Sequence, residues 1–359
     1  MSPKILLNYF HLQHVCPIST PEPLTTPILQ RTVSGVAHNT TIENMTWSRV
    51  GLRLVDFVWL VLSFSFFVAL GAHVILKRFP SKYETCRLYV LFQDLIRYGK
   101  TKQNFKRDDW LCVFDVPKRW FWHFYATSLV WNGLLLSFSL NITLRQQLCP
   151  QWLTSLINIL SGSTDTENEA LQPGTVLVQL LLWFHSLRRL LECLYVSVFS
   201  DGVIHVAQYV FGLGYYVLLG LTVLCSDRLT NGNKTLVFQL EWFHVAGIVL
   251  FILASVLQHQ TMVLLARLRT GKSGKVETLG HRVPKGGCFE LVSCPHYLAE
   301  LLIYVSLGLV LGGRSLTWWL VVLYVLFNQA LAALLCHDLY VSKYESYPKQ
   351  RKAFIPFLM

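Results

Sequence analysis

The chain has 359 residues, of which 53% are hydrophobic and only 14% carry a charge. Because soluble domains carry about 25% charged residues, this composition excludes an ordinary soluble globular protein and favours an all-α, polytopic membrane protein. The formal net charge of +11 is typical of basic cytosolic loops that face anionic membrane lipid, so no nucleic-acid partner is expected.

The first 50 residues differ from the rest of the chain. The stretch PISTPEPLTTP clusters Pro and Thr, and no continuous apolar run accompanies it, which is unlike a signal peptide. We predict that residues 1–50 form a poorly ordered luminal extension. Residues 51–359 are predicted to form a single transmembrane domain, with cofactor-binding loops and a C-terminal tail in the cytosol.

Seven apolar runs approach the length of about 20 residues that crosses a bilayer as a helix. The third run is interrupted by charged residues, and the sixth is short. In chain order, the predicted spans cover residues 51–76, 121–140, 174–199, 203–225, 242–265, 297–312 and 316–335.

Basic residues and glycosylation sequons predict the orientation of these spans. Residues 77–119 hold 11 of the 31 basic residues and residues 267–285 hold six, which favours a cytosolic location for both loops. All four Asn-x-Thr sequons fall on the opposite side, where glycosylation takes place; they begin at Asn39, Asn44, Asn141 and Asn233. An odd number of spans then predicts a luminal N-terminus and a cytosolic C-terminus.

The third span carries ionisable residues in its middle, within LLWFHSLRRLLECLYVSVF. His185, Arg188, Arg189 and Glu192 have the spacing i, i+3, i+4 and i+7, so on a helix they form one stripe that must face a protein interior or a water-filled cavity. Arg188 and Glu192 could simply be a self-paired buried ion pair. The functional interpretation is that the two guanidinium groups bind a phosphate-bearing ligand.

Two further segments lie on the predicted cytosolic side. Residues 264–300 combine basic residues with Gly286 and Gly287. The backbone amides of such a Gly-Gly pair can approach a ligand, although the pair could also simply form a turn. Residues 336–357 combine tyrosines with a basic cluster, which is also typical of an interfacial belt. The nine cysteines show neither a CxxC motif nor metal-ligand spacing, so no metal site is predicted.

Several stretches of the chain resemble one known family. FQDLIRYGKTK, FDVPKRWFWHFY, FHSLRRLLECLYVSVFS, RVPKGGCFELVSCPHYLAEL and SKYESYPKQRKAFIPF are similar to the steroid 5α-reductase family, over residues 86–359. The resemblance implies a seven-helix endoplasmic-reticulum enzyme with a 5α-reductase-like bundle. It also implies that NADPH enters from the cytosol and supplies a hydride to a carbon–carbon double bond, in an apolar cavity that opens to lipid.

The resemblance also implies roles for individual residues. Asp94 matches the family's substrate-side Glu, and Arg189, Arg269, Glu300, His337 and Tyr340 match its cofactor-side residues; the charged stripe adds Arg188 to the cofactor-binding candidates, and His296 is a further one. Ser186, the second catalytic candidate, stands where the steroid-type members have Tyr. Because Ser reaches less far, Asp94 or Tyr195 could take over, which leaves the identity of the proton donor open. His296 stands where the family usually has Asn, and it can still donate a hydrogen bond.

The resemblance is greatest to members that act on polyprenoids, which implies saturation of the α-isoprene unit during dolichol synthesis for protein N-glycosylation. A hydride needs an electron-poor carbon, and an enal provides one because a hydrogen bond to its oxygen stabilises the developing enolate. An allylic alcohol has no such electron sink. We therefore expect polyprenal to be reduced to dolichal, with separate dehydrogenases interconverting polyprenol and polyprenal, and dolichal and dolichol.

Other functions stay open from the residues alone. CPHYLAE is similar to a His-Pro-x-Tyr motif of isoprenylcysteine and phospholipid methyltransferases, which use S-adenosylmethionine. The paired arginines favour a 2′-phosphorylated dinucleotide over that cofactor. A steroid enone reductase and a non-enzymatic lipid transporter or binding protein are the remaining alternatives.

Overall fold

The computed structural model describes residues 52–79, 86–103, 109–162, 171–227, 240–270, 275–280 and 282–359. The predicted luminal extension at residues 1–50, together with the sequons at Asn39, Asn44 and Asn233, lies outside these residues. The described part of the chain is mostly helical, and its sheet is one two-stranded ribbon.

The described residues form ten α-helices. Pro173 and Pro295 begin two of them, because the proline ring presets a helical φ and its missing N–H has no partner in a first turn. The helices are α1 Leu54–Leu76, α2 Arg87–Ile96, α3 Lys100–Gln103, α4 Trp122–Arg145, α5 Gln151–Ser161, α6 Pro173–Leu191, α7 Val206–Asp227, α8 Trp242–Arg267, α9 Pro295–Val310 and α10 Leu316–Lys343.

Five of these helices are long and apolar enough to cross a membrane, namely α1, α4 with the turn before it, α7, α8 and α10. The other two predicted spans coincide with α6, which carries Arg188 and Arg189, and with α9, which has 16 residues. Each of the seven predicted spans therefore overlaps a helix. The prediction of an all-α polytopic membrane protein is confirmed.

Several predicted boundaries are wrong; α4, for example, ends at Arg145 and not at residue 140. The third span was predicted to reach residue 199, but α6 ends at Leu191, a π-helical turn Glu192–Val196 follows, and Ser197 is extended. Residues 203–205 form a strand instead of beginning the fourth span. α10 continues to Lys343, beyond the predicted end at 335, because backbone hydrogen bonds extend a helix past the point where its side chains cease to be apolar.

Close packing joins the helices in pairs. α8 packs against α9, α1 against α10 and α4 against α6. Gly247 permits the first of these contacts, since a Cβ there would lie 2.8 Å from the carbonyl oxygen of Ser306 and 2.5 Å from the side chain of Val310. Small residues allow such close backbone approach between membrane helices.

A short ribbon fixes the segments that precede α4 and α7. Its antiparallel strands are β1 Asp115–Pro117 and β2 Val203–His205. The fully buried Lys102 ties this ribbon to α2, because its Nζ lies 2.9 Å from the Asp94 carboxylate and 3.4 Å from the Asp115 carboxylate. These ion pairs hold α2 in place beside the interior of the bundle.

The C-terminal residues pack against the loop before α9. Arg351 is only 2% exposed, and its guanidinium donates to the carbonyl of Pro284 at 2.9 Å and to the carboxylate of Glu290 at 3.2 Å. The backbone N–H of Gly286 also donates to Glu290, at 2.6 Å. That N–H, with a smaller contribution from Arg351, holds the pKa of Glu290 below its ordinary value.

Candidate functional site

A cavity of about 700 Å³ lies inside the bundle. α1, α2, α4 and α6–α10 contribute to its wall, as do the loops after α6 and α8. Four basic side chains and one acidic side chain line it: Lys118, Arg189, Arg269, Arg282 and Glu300. Aromatic side chains cover much of the remaining wall, including Phe66, Phe92, Phe121, Phe124, Phe199 and Phe211, and eight tyrosines.

The charged stripe of α6 faces the protein interior, as its spacing predicts. His185, Arg189 and Glu192 are buried, and Arg188 is partly buried. A charge inside a membrane is tolerated where it is paired or lines a polar cavity. The contacts made by Glu192 show how the pairing is achieved.

Glu192 accepts hydrogen bonds from both arginines. Arg188 donates to one carboxylate oxygen at 2.7 Å, and Arg189 donates to the other oxygen. His259 of α8 lies 3.0 Å from the first oxygen. Arg189 also donates to the hydroxyl of Tyr125, with both of these N–O distances at 3.2 Å.

A second carboxylate, Glu300 of α9, completes the network. Gln258 of α8 donates to it, while the Gln258 side-chain oxygen accepts from Arg188 at 2.5 Å. His185 Nε2 lies 3.4 Å from the other Glu300 oxygen. The formal charges of the two arginines and the two glutamates cancel, so the expected self-paired ion pair forms and extends across α6, α8 and α9.

Five of the predicted cofactor-binding residues line the cavity together: Arg189, Arg269, His296, Glu300 and Tyr340. Arg269 donates to the carbonyl of Val198. Burial lowers the pKa of Arg269 from its ordinary value, although an arginine remains charged at neutral pH. A partly buried cation of this kind is suited to an anionic ligand.

Arg188 and His337 are not part of the cavity wall. Arg188 lies behind it and pairs with Glu192. His337 Nδ1 lies 2.7 Å from the hydroxyl of Ser293, which does line the cavity. His337 therefore contacts a residue of the cavity wall without lining the cavity itself.

The three residues predicted to have substrate-side roles lie apart from each other and outside the cavity wall. Asp94 is fully buried and pairs with Lys102. Ser186 is also fully buried; its hydroxyl donates to the carbonyl of Leu182 at 2.9 Å and lies 2.7 Å from the hydroxyl of Ser128. The side chain of Tyr195 is on the outer surface, where the residue is 80% exposed.

Sequence reasoning missed two residues that join the charged network to the cavity, Tyr125 and Gln258. Gln258 carries a signal that could have revealed it, because it is a polar side chain inside a predicted span. Tyr125 carries no such signal, since tyrosines are common at the ends of spans. Among the described residues, no group of three or more His, Cys, Asp or Glu side chains is placed to hold a metal ion.

The fold and the cavity define a class of protein: a polytopic helical membrane protein with an internal cavity whose wall is both cationic and aromatic. The family described as 3-oxo-5-alpha-steroid 4-dehydrogenase matches residues 204–359. A polyprenal reductase of Danio rerio is 54% identical over 310 residues, covering 86% of this chain and 99% of that protein.

Two further relatives are similar over most of their length. A polyprenal reductase of Xenopus tropicalis is 51% identical, covering 86% of this chain and 100% of that protein. A polyprenal reductase of Homo sapiens is 48% identical, covering 84% of this chain and 94% of that protein. The chain belongs to the steroid 5α-reductase family.

Proposed function

We propose that this protein reduces the α-isoprene double bond of polyprenal to give dolichal, with NADPH as the reductant, in the synthesis of dolichol for protein N-glycosylation. The observation that carries the proposal is one cavity inside a membrane bundle whose wall combines cationic and aromatic side chains. The near full-length relatives named polyprenal reductase support it, and they do not favour a methyltransferase.

The chemistry of the cavity wall fits a phosphate-bearing nicotinamide cofactor. Lys118, Arg269 and Arg282 provide positive charge in the wall, and cationic side chains bind phosphate oxygens through charge-assisted hydrogen bonds. Glu300, His296 and Tyr340 add polar groups to the same wall. The cofactor, when bound, supplies a hydride. The charge of the α6 arginines is already balanced by the glutamates, so we assign phosphate binding to the other cations.

The aromatic part of the wall fits an isoprenoid. A polyisoprenoid remains in the bilayer because moving its chain into water costs about 0.8 kcal/mol for each CH₂ group. Phe66 of α1 and Phe211 of α7 stack at 6.4 Å within the cavity wall, and such rings provide apolar contact and exclude water. The aldehyde end then lies against polar groups, which can hydrogen-bond its oxygen.

We place the protein in the endoplasmic-reticulum membrane with a luminal N-terminus and a cytosolic C-terminus. The concentration of basic residues in 77–119 and 267–285 supports this orientation. Arg269 and Arg282 of the cavity wall belong to the second of these segments, so a cytosolic cofactor has direct access to them. Dehydrogenases that interconvert polyprenol with polyprenal, and dolichal with dolichol, supply the substrate and consume the product.

Single-enzyme turnover in liposomes tests the proposal. Purified protein is supplied with NADPH and either polyprenal or polyprenol, and products are followed by mass spectrometry. We expect polyprenal alone to gain two hydrogen atoms. A gain on polyprenol in the absence of any dehydrogenase refutes the aldehyde assignment, and no gain on either substrate refutes the proposed activity.

A further inference from the structure

Tyr125 of α4 lies in the cavity wall at the junction of the charged network and the aromatic surface. The residue is buried, and its ring packs against Phe121 and Tyr216 at centroid distances of 5.9 and 5.7 Å. Its hydroxyl oxygen lies 3.2 Å from both Nε and Nη2 of Arg189. Tyr125 therefore connects a fixed cation to a surface that suits an isoprenoid.

The guanidinium group of Arg189 determines the direction of these hydrogen bonds. A guanidinium can only donate, so the Tyr125 oxygen is the acceptor in both contacts and its own hydrogen takes no part in them. Within the described part of the chain, no acceptor takes that hydrogen. The O–H of Tyr125 is thus available to a ligand in the cavity.

Four of the other seven phenols of the cavity wall are paired with each other. The hydroxyls of Tyr98 and Tyr297 lie 2.5 Å apart, and Tyr215 donates to Tyr304 at 2.7 Å. Tyr125 differs because its hydroxyl partner is a cation. A cation that donates to a phenol oxygen stabilises the negative charge that grows there as the phenol gives up its proton.

Arg189 is itself held in place. Its Nη1 donates to Glu192, and its guanidinium carbon lies 5.0 Å from the centre of the Tyr125 ring. Preorganised donors stabilise a developing oxyanion without reorganisation during the reaction. The pair therefore has the arrangement that an oxyanion site requires.

We propose that Tyr125, backed by Arg189, donates the hydrogen bond that activates the substrate carbonyl, an inference that rests on the function proposed above. Ser186 cannot fill this role from its observed position, because its hydroxyl is buried between Leu182 and Ser128. Asp94 and Tyr195 also lie outside the cavity wall. Tyr125 thus replaces the residues that the sequence pointed to.

In the proposed step, Tyr125 donates a proton and later regains it. NADPH, when bound, would supply a hydride to the β-carbon of the enal; as the electrons of the carbon–carbon double bond move to the carbonyl oxygen, Tyr125 transfers its proton to that oxygen. The resulting enol takes a proton from water at its α-carbon, which leaves hydroxide to be neutralised by solvent, and it returns its hydroxyl proton to Tyr125. The substrate gains one hydride and one proton, and Tyr125 is restored.

Tyr125→Phe tests the proposal through two readouts. We expect kcat to fall by about 100-fold or more, the loss found when one oxyanion donor is removed. The second readout is the infrared C=O stretch of a short isoprenoid enal bound with oxidised NADP, which prevents turnover. The wild type should lower that frequency relative to apolar solvent, and the variant should not.

Tyr209→Phe is the matched control, since Tyr209 bonds to His123 at 2.8 Å and is not part of the cavity wall. It should keep the wild-type kcat and frequency. If thermal unfolding shows that Tyr125→Phe does not fold, 3-fluorotyrosine at position 125 keeps the size and the donor; because it is more acidic, the basic limb of the pH–kcat profile should move to lower pH.

The outcomes separate the two proposals. A wild-type protein that leaves polyprenal unreduced refutes the proposed function. A wild-type protein that is active, combined with a folded Tyr125→Phe variant that keeps either its kcat or the lowered C=O frequency, overturns the role of Tyr125 alone. An unmoved pH profile in the fluorotyrosine protein overturns it as well.

Discussion

Arg188 and Glu192 lie one helical turn apart at the end of α6, and their charged groups are 2.7 Å from each other. The same carboxylate also pairs with the buried Arg189. One glutamate therefore pairs with two neighbouring guanidinium groups, while Glu300 supplies the second negative charge of the network.

Glu192→Gln should destabilise the protein by about 3–5 kcal/mol, because removing one partner of a buried ion pair leaves a charge uncompensated. The measurement is denaturant unfolding of the purified protein in detergent. Glu345→Gln is the control, since Glu345 is exposed and should change stability by no more than about 0.5 kcal/mol. Equal stability of the two variants would show that Glu192 does not carry this role.

Arg269→Gln should weaken NADPH binding by about 10- to 100-fold, the loss expected for one charge-assisted hydrogen bond. Fluorescence titration of the cofactor measures the affinity directly. Arg145→Gln, at the exposed end of α4, should bind NADPH as the wild type does. Repeating the titration with NADH identifies the phosphate involved: a larger loss for NADPH than for NADH places Arg269 at the 2′-phosphate, and unchanged binding of both removes it from the site.

The loop before α9 should loosen in acid. The pKa of Glu290 is lowered by the Gly286 N–H and by Arg351. The ionised carboxylate therefore stabilises the folded loop above the ordinary glutamate pKa, and this stabilisation is lost as the pH falls through the lowered pKa. The protection factors of the amides in residues 282–290, which are corrected for the intrinsic exchange rate at each pH, should therefore fall at pH values below the ordinary glutamate range.

Glu290→Gln should remove this pH dependence, since an amide does not titrate in that range. Glu277→Gln is the control, because Glu277 is an exposed residue without a contact to Arg351. Protection factors that fall in acid equally in all three proteins would assign the loosening to another group.

Gly247→Ala should destabilise the α8–α9 contact by about 1–3 kcal/mol, the usual effect of overpacking. The added methyl group would meet the carbonyl oxygen of Ser306 and the side chain of Val310. Gly71→Ala on α1 is the opposite control, because no atom lies within 4 Å of its added Cβ and alanine favours a helix by about 1 kcal/mol. In thermal unfolding in detergent, Gly71→Ala should have a higher melting temperature than the wild type, and Gly247→Ala should have a lower one.

The sequence alone predicted much of the architecture, and for local reasons. Apolar runs report which segments prefer lipid, so all seven predicted spans overlap helices. Near the ends of those runs the side chains become polar, so hydropathy no longer marks where the helix stops. The end of α10 and the π-helical turn after α6 were therefore not predicted. The sequence reasoning also named five cofactor-side residues that line one cavity.

By itself, the sequence determined that the chain lies in a membrane and that the stripe from His185 to Glu192 faces inward, because hydropathy and helical periodicity are properties of consecutive residues. Only the tertiary structure decided that Glu300 joins this stripe through Gln258, that Ser186 is buried against Ser128, and that Tyr125 contacts Arg189. Each of these contacts joins different helices, and which helices pack together depends on the shapes of whole surfaces that no local pattern records.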